Sequence, residues 1–285
     1  VMEPASSAGA SLYDVAERRD ALDGDAIAHA LGPSRVSASP VHQTLREHFA
    51  GAVAGSAAYR RCLSLLAQYG LTRDNTALGT SLCPDKVNEE PSGVAARLLD
   101  HWGEAHRLGG ISGVPLRGAA GLGDLSRCAA EDGRILVMFG PHVGIAEDGE
   151  VGLCRRRGRP IVSTACGALI GAYTACFSGD AADDGVAGAD VQKQWIRRQI
   201  APHAVAISKA SSPMAALSHQ SYSMVRDAVF DAVDSVSAAR CLCLVGGIHI
   251  NLPRSMEDHF VPRTFELRRV GEPVKDLLPE FAALA

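Results

Sequence analysis

The stretch "RILVMFGPHVGIAEDGEVG", Arg134 to Gly152, decides how the chain is read. Arg134 to Phe139 has the unbroken apolar character of a strand buried on both faces, the mark of a parallel sheet covered by helices. Gly140-Pro141 then stops the run, because glycine frees the backbone and proline has no N–H to give a neighbouring strand. His142 therefore falls at the exit of a core strand. In an open α/β sheet the crevice beyond the strand ends is where ligands bind. A lone histidine in such a turn is more often a satisfied structural residue than a reactive one, so its meaning rests on its companions.

Working outward, segments 11–31 and 41–69 have helical periodicity, with Leu45, Phe49, Leu63 and Leu66 near the 3.6 period. A short apolar strand ends at Cys83-Pro84, and a helix starts at Val94. Past Arg134 come the strands "VGLC" and "PIVSTAC", the small-residue helix "GALIGAYTACF", and helices around Gln192–Ile200 and Pro213–Val236. The strands "CLCLVGGIHI" and "TFELRRV" close the pattern. The alternation predicts one α/β domain with a central, mainly parallel β-sheet flanked by helices and opened by an N-terminal helical pair. Residues 1–10 read as an unstructured lead without signal character, 11–70 as the helices and 71–285 as the sheet core.

Composition narrows the function. The chain has 285 residues, 47% of them apolar, and a formal net charge of -4, which gives a globular core and no basic footprint for nucleic acid. The only cationic run, Arg155-Arg156-Arg157, reads as a solvated hairpin turn. No apolar stretch approaches the roughly 20 residues of a membrane span. Eight cysteines without a C-x-x-C pair fit a soluble protein of a reducing compartment better than a disulfide scaffold. Cys62, Cys128, Cys154, Cys176, Cys241 and Cys243 read as core. The glycine-rich segment from Gly109 to Gly123 has neither phosphate-loop pattern.

Cys83, His142 and Cys166 share one position type: each ends a short apolar strand and precedes a turn or a helix. Their separations, 59 and 24 residues, fit successive strand ends of a winding sheet and not a zinc finger. Two thiolates and an imidazole suit Zn2+, and three protein ligands leave a position for water. Cys166 also precedes a helix, whose N-terminal amides favour a thiolate. Asp85, two residues past Cys83, can point to the same side as a fourth ligand, an orienting partner or a proton acceptor. Arg97, in the following helix, is the arginine expected to hold it. Two other readings remain open: a surface Asp–Arg pair, and a cysteine nucleophile with a histidine base.

Together "GTSLCPDKVN", "LGGISGVP", "FGPHVGI" with "GEVG", "STACGALIGA" and "GGIHINLP" resemble the limiting-CO2-inducible B and C (LCIB/LCIC) family of algal proteins, from about Leu78 to Glu266. That family is similar to β-carbonic anhydrases in fold, zinc site and dimeric pairing. The resemblance implies a carbonic anhydrase, reversibly hydrating CO2 to bicarbonate through a zinc-bound hydroxide. It makes Cys83, His142 and Cys166 the zinc ligands and Asp85 with Arg97 the carboxylate–arginine pair that gates the metal. It departs in one respect: β-carbonic anhydrases read C-x-D-x-R, and Val87 stands at the arginine position. Phe139, Val143 and Gly167 are expected to line the CO2 pocket, with small residues beside the ligands easing the approach. The resemblance further implies a homodimer or a hetero-oligomer with a family member, in the chloroplast stroma or cytoplasm. The alternative is a non-catalytic zinc-binding scaffold or subunit of an inorganic-carbon-handling complex.

Overall fold

The computed structural model describes residues 39–129, 133–156, 158–159, 161–178, 190–234 and 239–284. The helix expected over 11–31 lies outside them. In chain order the elements are α1 (Pro40–His48), β1 (Val53–Ala54), α2 (Gly55–Gln68), β2 (Thr76–Leu82), α3 (Val94–Trp102), β3 (His106–Arg107), α4 (Gly118–Cys128), β4 (Arg134–Gly140) and β5 (His142–Gly144). They continue with β6 (Leu153–Arg155), β7 (Val162–Thr164), α5 (Gly167–Thr174), α6 (Val191–Ile200), α7 (Ala204–Ser208), α8 (Pro213–Asp234), β8 (Cys241–Asn251), β9 (His259–Arg269), β10 (Lys275–Asp276) and α9 (Leu278–Ala283). The helix expected over 41–69 is thus two helices. Gly51, at φ +82°, turns the chain between them so that β1 can join the sheet edge.

The main sheet runs β1-β9-β8-β4-β2-β3, with β5 on β8 and β10 on β9. Pairs β3/β2, β2/β4, β4/β8 and β5/β8 are parallel, whereas β9 lies antiparallel to β8 and to both short strands beyond it. β4 is therefore central, which is why its sequence is apolar without alternation. Its odd and even residues serve different cores. Ile135, Val137 and Phe139 pack with α4, α5 and α8 on one face, and Leu136 and Met138 pack with α2 and α3 on the other. Cys241 and Cys243 of β8 join Cys62 in the second core, as the alternation predicts. Cys128 does not: at the last turn of α4 it is exposed.

Gly140-Pro141 interrupts the strand without ending it. β4 pairs Phe139 with Gly246, and β5 resumes the same register on β8 by pairing His142 with His249. Pro141 gives no N–H, but its carbonyl still accepts a hydrogen bond from the His249 amide at 3.0 Å. Gly140 is required here: it sits at φ +149°, and a Cβ there would meet the Gly247 carbonyl oxygen at 1.8 Å. The effect is to carry His142 three residues deeper along β8 than a strand exit would, into a buried position.

Candidate metal centre

Three chain segments deliver the candidate ligands. Cys83 follows β2, His142 opens β5, and Cys166 follows the β6–β7 hairpin as the residue before α5. Their donor atoms all lie within 4.8 Å of one another, and all three residues are buried. The Cys83 and Cys166 Sγ atoms are 3.6 Å apart. Two sulfurs on a tetrahedral zinc, each at about 2.3 Å, stand about 3.8 Å apart, so the sulfur pair is spaced for that ion. The buried Nε2 of His142 has no hydrogen-bond partner, and a group otherwise costly to bury points where a cation would sit. The three residues therefore fit a metal ion.

The protonation pattern agrees. The hydrogen bond from Cys83 holds the Cys166 thiol below its ordinary range against the effect of burial, with the Ala168 and Leu169 amides at the start of α5 helping. Cys83 is pushed up by the same contact and by burial. The two thiols are coupled through that contact, and a metal ion binds such groups as thiolates. Burial opposes a charged His142, yet Cys83 and then Asn251 and Asp85 hold its pKa above the ordinary imidazole value. Its Nδ1 lies 2.8 Å from Asn251 Oδ1.

Asp85 sits beside this cluster, its Oδ2 3.8 Å from His142 Nε2. It also caps the 3-10 turn Lys86–Glu89 by accepting from the Val87 amide. The arginine that holds it is not Arg97. Arg97 bonds the Ser92 carbonyl and pairs with Glu257 at 3.3 Å, on the outside of α3. Arg156 takes the role instead, donating through both Nη1 and Nη2 to the two Asp85 oxygens. Its Nε donates to Ser163 Oγ and its Nη2 also to the Thr164 carbonyl, each at 2.8 Å. Burial works against ionised Asp85, but Arg156 and the nearby His142 hold its carboxyl below the usual range. The expected hairpin exists, with Arg155 opposite Val162 in its register and ion-paired with Glu147 at 3.4 Å, while Arg156 turns inward to Asp85. Arg157 lies outside the described residues.

The reason is legible in the topology. The return strand of the hairpin runs straight into Cys166, so an arginine at the hairpin end is within reach of any group beside that cysteine. Asn251 and Asp258 were also missed. Asn251 ends β8, and its Nδ2 donates to the Val87 carbonyl at 3.2 Å and towards Asp258 Oδ2 at 3.5 Å. Asp258 accepts from the Leu252 amide at 2.8 Å, and burial pushes its pKa up to about 6.

The expected pocket residues separate. Val143 and Cys166 line a small cavity with Leu169, Ile170 and Met214, holding only about 10 Å³. Gly167 opens α5 directly behind Cys166. Phe139 does not line the site: it is fully buried, stacks on Tyr222 of α8 with ring centroids 6.3 Å apart, and fills the space left by Gly246. It lies three residues back along β8 from His142. Phe139→Ala is accordingly expected to cost about 3–5 kcal/mol of stability in a denaturant titration, with metal binding unchanged. The larger opening is a cleft of about 590 Å³ that reaches Asp85, Arg156, Asn251 and Asp258 and is rimmed by Lys86, Arg159 and Arg254.

No helix of the described residues is long and apolar enough to cross a membrane. The apolar side chains of α5, Leu169, Ile170, Ala172 and Tyr173, are buried within the chain. Among curated proteins no sequence matches this one. Among solved structures, PtLCIB4, described as a homolog of the limiting CO2-inducible protein LCIB, is similar with a TM-score of 0.74 at 28% identity over 82% of this chain and 98% of that one. A point mutant of PtLCIB4 gives 0.76 at 27% identity, over 84% and 99%. LCIB itself shares the fold, with a TM-score of 0.60 at 21% identity over 82% and 97%. The model of the limiting CO2-inducible proteins B/C beta carbonic anhydrases matches residues 52–269, a span that takes in β1 through β9 and every residue of the site, and the chain belongs to that family.

Proposed function

We propose that this chain is a zinc-dependent carbonic anhydrase that interconverts CO2 and bicarbonate. The observation that carries the reading is the buried Cys83–His142–Cys166 cluster with the carboxylate of Asp85 beside it, held by Arg156. Cys83, Cys166 and His142 would hold the ion, which supplies Lewis acidity and makes water a nucleophile near neutral pH. Two thiolates offset the charge of Zn2+, so proton removal from the reacting water leans on a neighbouring base. Asp85 is the base in reach, and Oδ2 is the atom that takes the proton. Arg156 keeps that carboxylate ionised and aimed, and Ser163 and the Thr164 carbonyl keep Arg156 in place. The cleft beyond them gives bicarbonate, an anion, a cationic way out.

Asp85→Asn tests the role directly. Stopped-flow CO2 hydration is expected to fall about 10²-fold, the low end for general acid–base catalysis, with zinc content unchanged. An Asn variant as fast as the parent contradicts it.

A second reading, a zinc-holding scaffold without activity, is favoured by the tightness beside the ligands, where about 10 Å³ admits no more than one water. For partners we take CO2 and bicarbonate, and a second copy or a family member, on the family resemblance. The same resemblance suggests the plastid stroma or cytoplasm, and eight free thiols suit a reducing compartment.

A further inference from the structure

A ligating histidine must present a lone pair, and which ring nitrogen has one depends on what the other nitrogen meets. Nδ1 of His142 meets Asn251 Oδ1 at 2.8 Å. An amide can be turned end for end, so that contact alone does not settle the tautomer. The other end of Asn251 does. Its Nδ2 faces the Val87 carbonyl at 3.2 Å and Asp258 Oδ2 at 3.5 Å, and a flipped amide would set an oxygen against both acceptors. Asp258 is fixed in turn, because its Oδ1 accepts the Leu252 amide at 2.8 Å. Asn251 and Asp258 are both buried.

We infer that Asn251 and Asp258 are positioning residues that select the His142 tautomer. Oriented by Val87 and Asp258, Asn251 presents only an acceptor, so Nδ1 carries the hydrogen and Nε2 keeps its lone pair. Nε2 is the atom left without a partner at the cluster. The chain of contacts reaches the cleft, since Asn251 and Asp258 both line it. The inference rests on the reading of Cys83, His142 and Cys166 as metal ligands, and it is independent of whether the site turns over.

The experiment uses the full chain loaded with zinc, with affinity read by chelator competition and the His142 ring read by ¹⁵N NMR. The parent is expected to show a slowly exchanging Nδ1–H and a metal-bound Nε2. Asn251→Ala is expected to weaken zinc about 10–100-fold, the usual effect of removing a ligand's hydrogen-bond partner. Asp258→Asn tests the second link. The Leu252 amide fixes the new side chain's oxygen, so its NH2 faces that of Asn251 and drives the flip, and zinc should weaken with the Nδ1–H signal lost. Circular dichroism of zinc-saturated protein separates these effects from unfolding.

A parent that binds zinc through Nδ1, or an Asn251→Ala variant that matches the parent in affinity and ring signals, overturns the inference alone. A parent that takes up no zinc overturns the metal reading and this inference with it.

Discussion

Alanine at any one of Cys83, His142 or Cys166 is expected to reduce bound zinc from stoichiometric to trace and CO2 hydration to the buffer rate. The three donors come from three separate segments, and no further Cys or His among the described residues joins the cluster to stand in for a lost one. The loss is that of the whole Lewis-acid contribution, several kcal/mol of barrier, or roughly 10³-fold or more in rate. His142→Ala has a further consequence, since it also strands the Asn251 oxygen in a buried site. Metal analysis on purified variants, followed by stopped-flow assay with added zinc, checks the prediction. A variant that keeps full zinc shows that its residue is not a ligand.

Arg156→Ala is expected to retain zinc and lose about 10²-fold in rate, whereas Arg97→Ala stays within about twofold of the parent. The contrast follows from where each guanidinium sits. Arg156 and Asp85 side chains are 25% and 14% exposed and joined by a two-pronged contact, while Arg97 and Glu257 are 35% and 31% exposed and joined by one. Exposed single pairs contribute about 0–1 kcal/mol. Removing Arg156 leaves a carboxylate with little solvent and no counter-charge, 3.8 Å from the imidazole nitrogen of the cluster. A carboxylate so released would be free to join the ligands of a bound ion and exclude water. Arg156→Lys should fall between the two, because an ammonium cannot grip both oxygens in the plane of a fork. Equal losses in Arg97→Ala and Arg156→Ala would dissolve the distinction.

The central strand was legible because burial on two faces leaves a run of apolar residues that nothing else explains, and "RILVMF" is flanked by the two strands with which it pairs. Cys83, His142 and Cys166 were legible as a set because each follows a short apolar run that a break closes, although His142 resumes the strand register as the first residue of β5. Arg97 and Arg156 show where sequence spacing stops being informative. The distance from Asp85 to Arg97 along the chain is short, but α3 carries Arg97 to its outer side. Arg156 is 71 residues from Asp85, and only the hairpin register that carries Cys166 brings it near. Phe139 failed as a pocket residue for a related reason. Phe139 sits against Gly246 and Tyr222, three residues back along β8 from His142, so closeness in sequence did not bring it to the cavity. Asn251 sat in a quoted motif without a role because a side-chain amide declares its partner only when the opposite strand is in place.

Carbonic anhydrase activity is decided by the stopped-flow rate of CO2 hydration by the reduced protein at one zinc per chain, against buffer and against Cys83→Ala. A rate well above buffer that disappears in the variant is expected. A buffer rate from protein carrying its full zinc contradicts it, and leaves the Cys83–His142–Cys166 site as a structural metal centre.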